Sequence, residues 1–149
     1  MLAGFTEAYT EFVQIVPGGV IRSTATPPGN AVVIVGGWSG HYPAFAGYVG
    51  PGVADAAVRG DVFASPFARL AYDVAKAADR RGGVIFAFGN YSGDIFNFGL
   101  AAERLVTDGI PAHLLVVTGD VASEGKGANG RRRGIAGDVV VSRSPAQRN

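Results

Sequence analysis

The sequence predicts an α/β fold with a mainly parallel sheet flanked by helices. Short apolar runs rich in β-branched residues are typical of strands buried on both faces. Such runs occur at 32–35, 84–88, 114–117 and 138–141. Helical patterns separate the central runs, and strands that alternate with helices need crossover connections, which favour parallel neighbours. With 149 residues, 48% of them hydrophobic and 17% charged, the chain suits a single well-packed domain over 1–149.

Two segments in the first half of the chain are assigned from residue spacing. From Leu2 to Val16, apolar residues recur at roughly helical spacing until Pro17-Gly18-Gly19 stops the pattern, which predicts a first helix. The segment from Asp55 to Val62 is predicted to be a short helix or an irregular loop.

Two further helices are predicted from the residues at their ends. Ser65 and Pro66 are typical of an N-cap and a first helical position, which predicts a helix from there to about Arg80. Another helix is predicted from about Ile95 to Thr107, with Gly109 as its C-terminal signal.

The composition excludes several classes of protein. The net charge is only +1, and Lys and Arg are not interleaved with aromatics, so we expect no nucleic-acid partner. The chain has no cysteine, which excludes disulfides and thiolate metal sites. Apolar runs are broken well before the roughly 20 residues that a membrane span needs, and the N-terminus lacks the basic region of a signal peptide. We therefore expect no membrane partner and a cytoplasmic location.

Two strand-to-loop junctions share one design. The strand at 32–35 leads into Gly36-Gly37-Trp38-Ser39-Gly40-His41-Tyr42-Pro43, and the strand at 84–88 leads into Gly89-Asn90-Tyr91-Ser92-Gly93-Asp94. Ligands of open α/β sheets bind beyond the carboxyl ends of the strands. We therefore expect His41 and Asp94 to meet in one cleft, together with the hydroxyls of Ser39 and Ser92.

A histidine beside a carboxylate can act as a general base on an alcohol. Residue chemistry alone leaves alternatives open. His41 in a glycine-rich loop can equally be a structural hydrogen-bonding residue, and Asp94 can equally be an ordinary helix N-cap.

Several familiar motifs are missing. Ser39 is not part of a Gly-x-Ser-x-Gly elbow, because His41 occupies the final position. Neither a P-loop nor a Gly-x-Gly-x-x-Gly pattern follows the first strand, so no nucleotide cradle is predicted. His113, the other histidine, precedes a strand with no nearby carboxylate pattern, so we expect no metal site and a strand-edge role for it. The run Arg131–Arg133 lies in a glycine-rich loop at 121–133 and can be a solvated face or a phosphate-binding group.

Five segments of the sequence together point to a known family: Gly36–Pro43, Gly47–Gly50, Gly60–Pro66, Asn90–Asp94 with Asn97-Phe98, and Arg132–Gly137. In order and spacing, over about residues 30–141, they resemble the N-terminal half of the dihydroxyacetone kinase substrate-binding domain. The resemblance implies a ketose kinase that phosphorylates the terminal hydroxyl of dihydroxyacetone or a similar short ketose. It also implies that Met1 is an internal methionine, because the residues after it resemble the latter part of the family's first helical region.

The resemblance assigns roles to particular residues. His41 and Asp94 take the acid/base roles, and the substrate is held by the two loops and the Ser-Pro turn, through Trp38, Ser39, Gly40, His41, Asp94 and Ser65.

Three positions depart from the family pattern. Tyr42 replaces a glutamate, Trp38 replaces a glycine, and Gly89 replaces a lysine that would donate to the substrate. The bulky Trp38 and the missing lysine fit erythrulose as well as dihydroxyacetone. The family also tethers its carbonyl substrate through a histidine in the second half of the domain, which neither His41 nor His113 matches.

The resemblance further implies that this chain binds no cofactor itself. The phosphoryl group comes from ATP, or from a phosphoprotein-linked nucleotide, on a partner domain or subunit.

The hydrophobic content also predicts an exposed apolar patch and self-association, for example as a homodimer. Two functions remain open: the substrate-binding part of a ketose kinase, and a non-catalytic ketose-binding or regulatory module derived from one.

Overall fold

The computed structural model describes residues 2–124, 127 and 131–134. Over these residues a short helix and four successive strands come first, and helices and strands alternate only after them. They are, in order, α1 (Leu2–Ala8), β1 (Val13–Val16), β2 (Gly19–Arg22), β3 (Val32–Gly37), β4 (Ala56–Arg59), α2 (Ala68–Ala78), β5 (Val84–Gly89), α3 (Ser92–Thr107) and β6 (Ala112–Val117), with one 3-10 turn at Ala46–Tyr48.

The strands form one sheet in the order β1-β2-β4-β3-β5-β6. The pairings of β3 with β4, β3 with β5, and β5 with β6 are parallel. The two outer pairings, β1 with β2 and β2 with β4, are antiparallel. The predicted α/β class with a parallel core is confirmed, and the antiparallel hairpin at one edge makes the sheet mixed.

Each face of the sheet is covered by a separate apolar cluster. On one face α2 and α3 pack against the strands through residues such as Val74, Phe98 and Leu105. The rings of Phe88 and Phe98 stack there with their centroids 4.6 Å apart. On the other face, residues of β1 to β5 pack with α1 and the 3-10 turn. All six residues of β3 are buried, as predicted for a strand covered on both faces.

The predicted helix from Leu2 to Val16 is wrong in its second half. The helix ends at Ala8, and Val13–Val16 pairs with Gly19–Arg22 as a hairpin. Three of these four residues in β1 are β-branched, which favours an extended strand. Gly18 has a φ of 90°, and a Cβ on Gly19 would lie 1.9 Å from the Ala57 carbonyl oxygen, so the turn and its packing both require glycine.

The prediction of a helix or loop at 55–62 is also wrong, because Ala56–Arg59 forms β4. Alanine has little intrinsic preference for strands, so the local pattern is weak. A buried network fixes the strand instead. The Asp55 carboxylate accepts hydrogen bonds from the Val33 backbone N–H at 2.8 Å, the Arg22 guanidinium at 3.0 Å and the Thr26 hydroxyl.

The helix starts differ from the predicted ones by a few residues. The N-cap of α2 is Phe67, so Ser65 and Pro66 precede the helix and do not cap it. The N-cap of α3 is Tyr91, which places Asp94 inside the first turn and contradicts the N-cap alternative for it. At the other end of α3, Gly109 has a φ of 82°, as predicted for a C-terminal signal.

The strand predicted at 114–117 is present in β6, but its predicted burial is wrong. Leu114 and Leu115 are 39% and 38% exposed, because β6 is an edge strand and part of each of its faces is uncovered. The predicted strand at 138–141 lies outside the described residues. Over the part of the chain that the structure describes, no helix is long and apolar enough to cross a membrane.

Candidate active site

The loops after β3 and β5 lie side by side because these strands are parallel neighbours. A cavity of about 350 Å³ opens between them. Its lining comes from both loops, from the 3-10 turn and from the approaching segment at 131–134: Gly37, Trp38, His41, Ala44, Phe45, Tyr48, Gly89, Tyr91, Asp94 and Gly134. The two loops thus meet at the carboxyl edge of the sheet, where α/β folds usually bind ligands.

Asp94 is the buried acidic residue that lines this cavity. Its side chain projects from the first turn of α3, the residue is 4% exposed, and its Oδ1 atom has no hydrogen-bond partner in the described residues. Burial raises the pKa of Asp94 above its ordinary value, while a hydrogen bond with the Ser65 side chain acts in the opposite direction. A buried carboxylate that lines a cavity is suited to accept a hydrogen bond from a ligand.

His41 lines the same cavity from the opposite loop and is exposed. Its ring lies 5.7 Å from the Trp38 ring, centroid to centroid. An accessible imidazole is free to exchange protons with a bound hydroxyl. The cavity therefore brings together a proton-accepting group and a buried acceptor of hydrogen bonds.

An aromatic wall, consisting of Trp38, Tyr91 and Phe63, borders the site. The Trp38 ring lies 4.6 Å from the Tyr91 ring and 6.5 Å from the Phe63 ring. The Arg133 guanidinium lies 4.5 Å above the Tyr91 ring, which places a cation beside the cavity. Sequence reasoning missed Tyr91, Phe63 and Arg133 as a group, although Tyr91 lies within a motif that it singled out.

The other predicted substrate-binding residues lie around the cavity but are not among its lining residues. The Ser39 backbone N–H donates to the Asp61 carbonyl at 3.0 Å, and Ser39 borders an adjoining cavity of about 140 Å³. Gly40 packs against Phe63, since a Cβ there would lie 2.5 Å from that ring. Ser65 packs against Gly93, the residue before Asp94, since a Cβ on Gly93 would lie 3.2 Å from the Ser65 Cβ. Of the six predicted residues, Trp38, His41 and Asp94 face the cavity directly.

Gly89 is enclosed by the segment that approaches from the end of the described chain. A Cβ on Gly89 would lie 2.8 Å from the Gly134 carbonyl oxygen and 3.2 Å from the Tyr91 ring. The lysine that the family resemblance places here would therefore require the 131–134 segment to move.

No group of three or more metal-binding side chains is found among the described residues. Within the same residues, Arg131 pairs with Glu124 at 3.6 Å, whereas Arg133 is stacked on Tyr91. Arg131 therefore lies on a solvated face of the protein, whereas Arg133 lies beside the cavity.

The fold and the site together define an α/β domain with a candidate ligand cavity at the carboxyl edge of its sheet. More specifically, the chain belongs to the Dak1 domain family, whose profile matches residues 3–147. The family resemblance stated from the motifs is thereby confirmed.

Individual relatives agree with this assignment. Over 141 residues the chain is 52% identical to D-erythrulose kinase of Mycolicibacterium smegmatis, covering 95% of this chain and 24% of that protein. It is 42% identical to the dihydroxyacetone-binding subunit DhaK of a PTS-dependent dihydroxyacetone kinase of Listeria innocua, covering 95% of this chain and 43% of that subunit. The chain thus spans less than half the length of these relatives.

A solved structure matches the fold over almost the whole chain. It is the dihydroxyacetone kinase operon co-activator Dha-DhaQ, with a TM-score of 0.86 and 28% sequence identity, covering 95% of this chain and 44% of that protein.

Proposed function

We propose that the chain is the substrate-binding part of a ketose kinase, and that its cavity holds a short ketose whose terminal hydroxyl receives a phosphoryl group. The observation that carries this proposal is that buried Asp94, whose Oδ1 has no hydrogen-bond partner among the described residues, and exposed His41 line one cavity. The family and its kinase relatives support the reaction class.

In the proposed step, the ketose hydroxyl attacks the phosphorus of the donor. A new O–P bond forms, the bond from phosphorus to the leaving group breaks, and the hydroxyl proton passes to the His41 imidazole. Asp94 accepts a hydrogen bond from another hydroxyl of the ketose and so holds the substrate with its attacking oxygen in place. The protein contributes mainly position and proton transfer, as in other phosphoryl transfers.

The donor is proposed to lie on a partner domain or subunit, as ATP or as a phosphoprotein-linked nucleotide. The sequence has no P-loop or dinucleotide-binding pattern after its first strand. The matching relative from Listeria innocua is named as one subunit of a PTS-dependent kinase, which supports a division between substrate-binding and donor-binding parts.

A four-carbon ketose is the favoured substrate. The D-erythrulose kinase is more similar to this chain than the dihydroxyacetone-binding subunit is, at 52% against 42% identity. The departures at Trp38 and Gly89 also remove two features of the dihydroxyacetone pattern, because an aromatic side chain occupies one position and no lysine amine is present at the other.

The binding experiment uses the full chain and ligand-observed NMR with D-erythrulose, L-erythrulose, dihydroxyacetone and glycerol. We expect the three ketoses to bind, an erythrulose most tightly, and glycerol to bind least because it lacks the carbonyl. Asp94→Asn should weaken ketose binding by about tenfold or more, as expected for the loss of a charged hydrogen-bond acceptor. Glu103→Gln, an exposed carboxylate on the same helix, is the matched control. Equal binding by wild type and Asp94→Asn would contradict the proposal.

The catalytic role of His41 is tested with the chain reconstituted with the missing part and the donor domain of an erythrulose kinase. His41→Ala should lower kcat by about 10²- to 10⁴-fold, the usual contribution of general-base catalysis, while ketose binding stays within a few fold. A kcat that is unchanged within about twofold would refute proton transfer to His41.

The second candidate is a regulatory ketose-binding module. The specific observation that favours it is the likeness to the operon co-activator Dha-DhaQ over 95% of this chain. Ketose binding that is retained in the reconstituted protein without any phosphoryl transfer would favour this candidate over the kinase.

A further inference from the structure

The three consecutive arginines at 131–133 differ in what holds their side chains. The Arg131 guanidinium pairs with the Glu124 carboxylate at 3.6 Å, and the Arg132 Nε–H donates to the Glu124 carbonyl at 3.1 Å. The Arg133 guanidinium instead lies over the Tyr91 ring, 4.5 Å from its centre. Among the described residues, no carboxylate pairs with it. Arg133 therefore carries a positive charge that no carboxylate in this part of the chain neutralises.

The backbone that carries Arg133 is fixed at both its polar groups. The Arg133 N–H donates to the Ser123 hydroxyl oxygen at 2.9 Å, and its carbonyl accepts a hydrogen bond from the Asp120 N–H at 2.9 Å. The Asp120 carboxylate is engaged in its own turn, where it accepts a hydrogen bond from the Ala122 N–H at 3.0 Å. These contacts hold the segment against the loop after β6. The guanidinium is thus carried on a fixed backbone, one residue before Gly134, which lines the cavity.

The contact with Tyr91 leaves the hydrogen-bonding edge of the guanidinium available. A guanidinium stacked on an aromatic ring uses its flat face, whereas its five N–H donors lie in the plane. One of them, on Nη1, is directed at the Asn90 carbonyl at 3.5 Å, which is long for a hydrogen bond. Arg133 is also exposed, so a ligand can reach the other donors. Such a planar set of donors matches two oxygens of a phosphate group.

The residues that line the cavity include no lysine or arginine to balance the charge of a phosphate. They include the acidic Asp94 and the exposed His41. Gly89 stands where the family resemblance expects a lysine, and Gly134 packs against it. A phosphate ester carries close to two negative charges near neutral pH, and a nearby carboxylate repels it. A phosphorylated ligand in this cavity therefore needs a cation beside it, which Arg133 supplies.

We propose that Arg133 binds the phosphoryl group beside the cavity, both during its transfer and afterwards as the phosphate ester of the product. The guanidinium stabilises the negative charge that is spread over the phosphoryl oxygens and forms no covalent bond to them. This role in the transfer rests on the proposed function. A phosphate subsite at Arg133 rests only on the placement of the guanidinium, Tyr91 and Gly134.

The test compares two ligands that differ only by a phosphate group, dihydroxyacetone and dihydroxyacetone phosphate. Their binding is measured by ligand-observed NMR with the full chain of wild type, Arg133→Gln and Arg131→Gln. Arg133→Gln should weaken binding of the phosphate ester by about tenfold or more, because a charge-assisted hydrogen bond is lost. Its binding of dihydroxyacetone should stay within about twofold of wild type. Arg131→Gln removes the same charge on the solvated face and should change neither.

Two further measurements separate a specific contact from a general effect of charge. Arg133→Lys keeps the charge but loses the planar donors, so its binding of the phosphate ester should lie between those of wild type and Arg133→Gln. Added NaCl should narrow the difference between wild type and Arg133→Gln, because salt screens an exposed charge. Equal binding of the phosphate ester by wild type and Arg133→Gln would overturn the proposal, and so would an equal loss in Arg131→Gln.

A third measurement distinguishes this outcome from failure of the proposed function. The Arg133 Nε–H resonance, identified by its absence in Arg133→Gln, is followed by NMR while inorganic phosphate is added at constant ionic strength. It should shift with phosphate in wild type and in Arg131→Gln, and not with chloride. A shift in a protein that binds no ketose would support the phosphate subsite and refute the ketose site. Ketose binding that depends on Asp94, with no shift on adding phosphate, would refute the role of Arg133 alone.

Discussion

Replacing Asp94 with asparagine should make the protein more stable at neutral pH while it weakens ketose binding. The residue is 4% exposed and its Oδ1 has no partner in the described residues, so its charge is held in an unfavourable environment. Asparagine has nearly the same shape but no charge. The asparagine amide still lacks a partner there, so the gain is the extra cost of the ionised form alone, about 1.4 kcal/mol for each unit by which burial raises the carboxyl pKa.

The sign of the pH dependence follows from the raised pKa of Asp94. Between the ordinary Asp pKa of 3.8, which applies to the unfolded chain, and the higher folded pKa, the native state binds more protons than the unfolded state. The free energy of unfolding therefore falls as pH rises through this window. The advantage of Asp94→Asn should be small below the window and reach its full size above it.

The assay is thermal and denaturant unfolding of wild type and Asp94→Asn from about pH 4 to about pH 8, a range that spans ordinary and raised carboxyl pKa values. In a chain of this size each kcal/mol shifts the melting temperature by about 2–4 °C. Glu103→Gln, which is exposed on the same helix, should change little at any pH. A variant that is no more stable than wild type at high pH, or whose advantage is the same at both ends of the range, would refute this reasoning.

Three other perturbations test the packing around the site. Gly89→Ala places a methyl group 2.8 Å from the Gly134 carbonyl oxygen, so the free energy of unfolding should fall by about 1–3 kcal/mol. Unchanged stability would contradict the close packing of this segment. Asp55→Ala leaves the half-buried Arg22 without its carboxylate, so denaturant unfolding should show a free energy of unfolding lower by about 3–5 kcal/mol. A decrease below about 1 kcal/mol would mean that the network does not hold β4 in place. Phe96 is 66% exposed on α3, so we expect the chain to self-associate. Phe96→Glu should reduce this self-association in sedimentation experiments. A wild-type monomer at high concentration that binds no apolar dye would argue against an exposed apolar patch.

The central strands and the position of the cavity could be predicted because their causes are local. The runs at 32–35 and 84–88 are apolar and rich in large side chains, which gives a strong strand pattern. The two strands are neighbours in the sheet, and each ends in a glycine-rich loop. His41 and Asp94, which lie in these loops, are therefore placed at the same edge of the sheet.

The remaining features depend on contacts between distant residues. β4 is rich in small residues, and it is fixed by the Asp55 carboxylate, which reaches residues more than 20 positions away. The environment of Asp94 likewise depends on Ser65, in a turn that precedes a different helix, and on the burial that the whole sheet supplies. No spacing pattern along the chain encodes either contact, so the sequence could propose the site residues but not their electrostatics.

The aromatic wall has a consequence for how specificity changes during evolution. Trp38 contacts both Tyr91 and Phe63, and all three rings come from loops. A substitution there therefore alters the room for a ligand and removes little from the core of the sheet. Beneath them, a Cβ on Gly36 or Gly37 would come within 2.8 Å of an aromatic ring, which leaves those positions almost no freedom. Single changes in the wall can therefore alter which ligand the cavity accepts, while the strand ends that present the wall stay fixed.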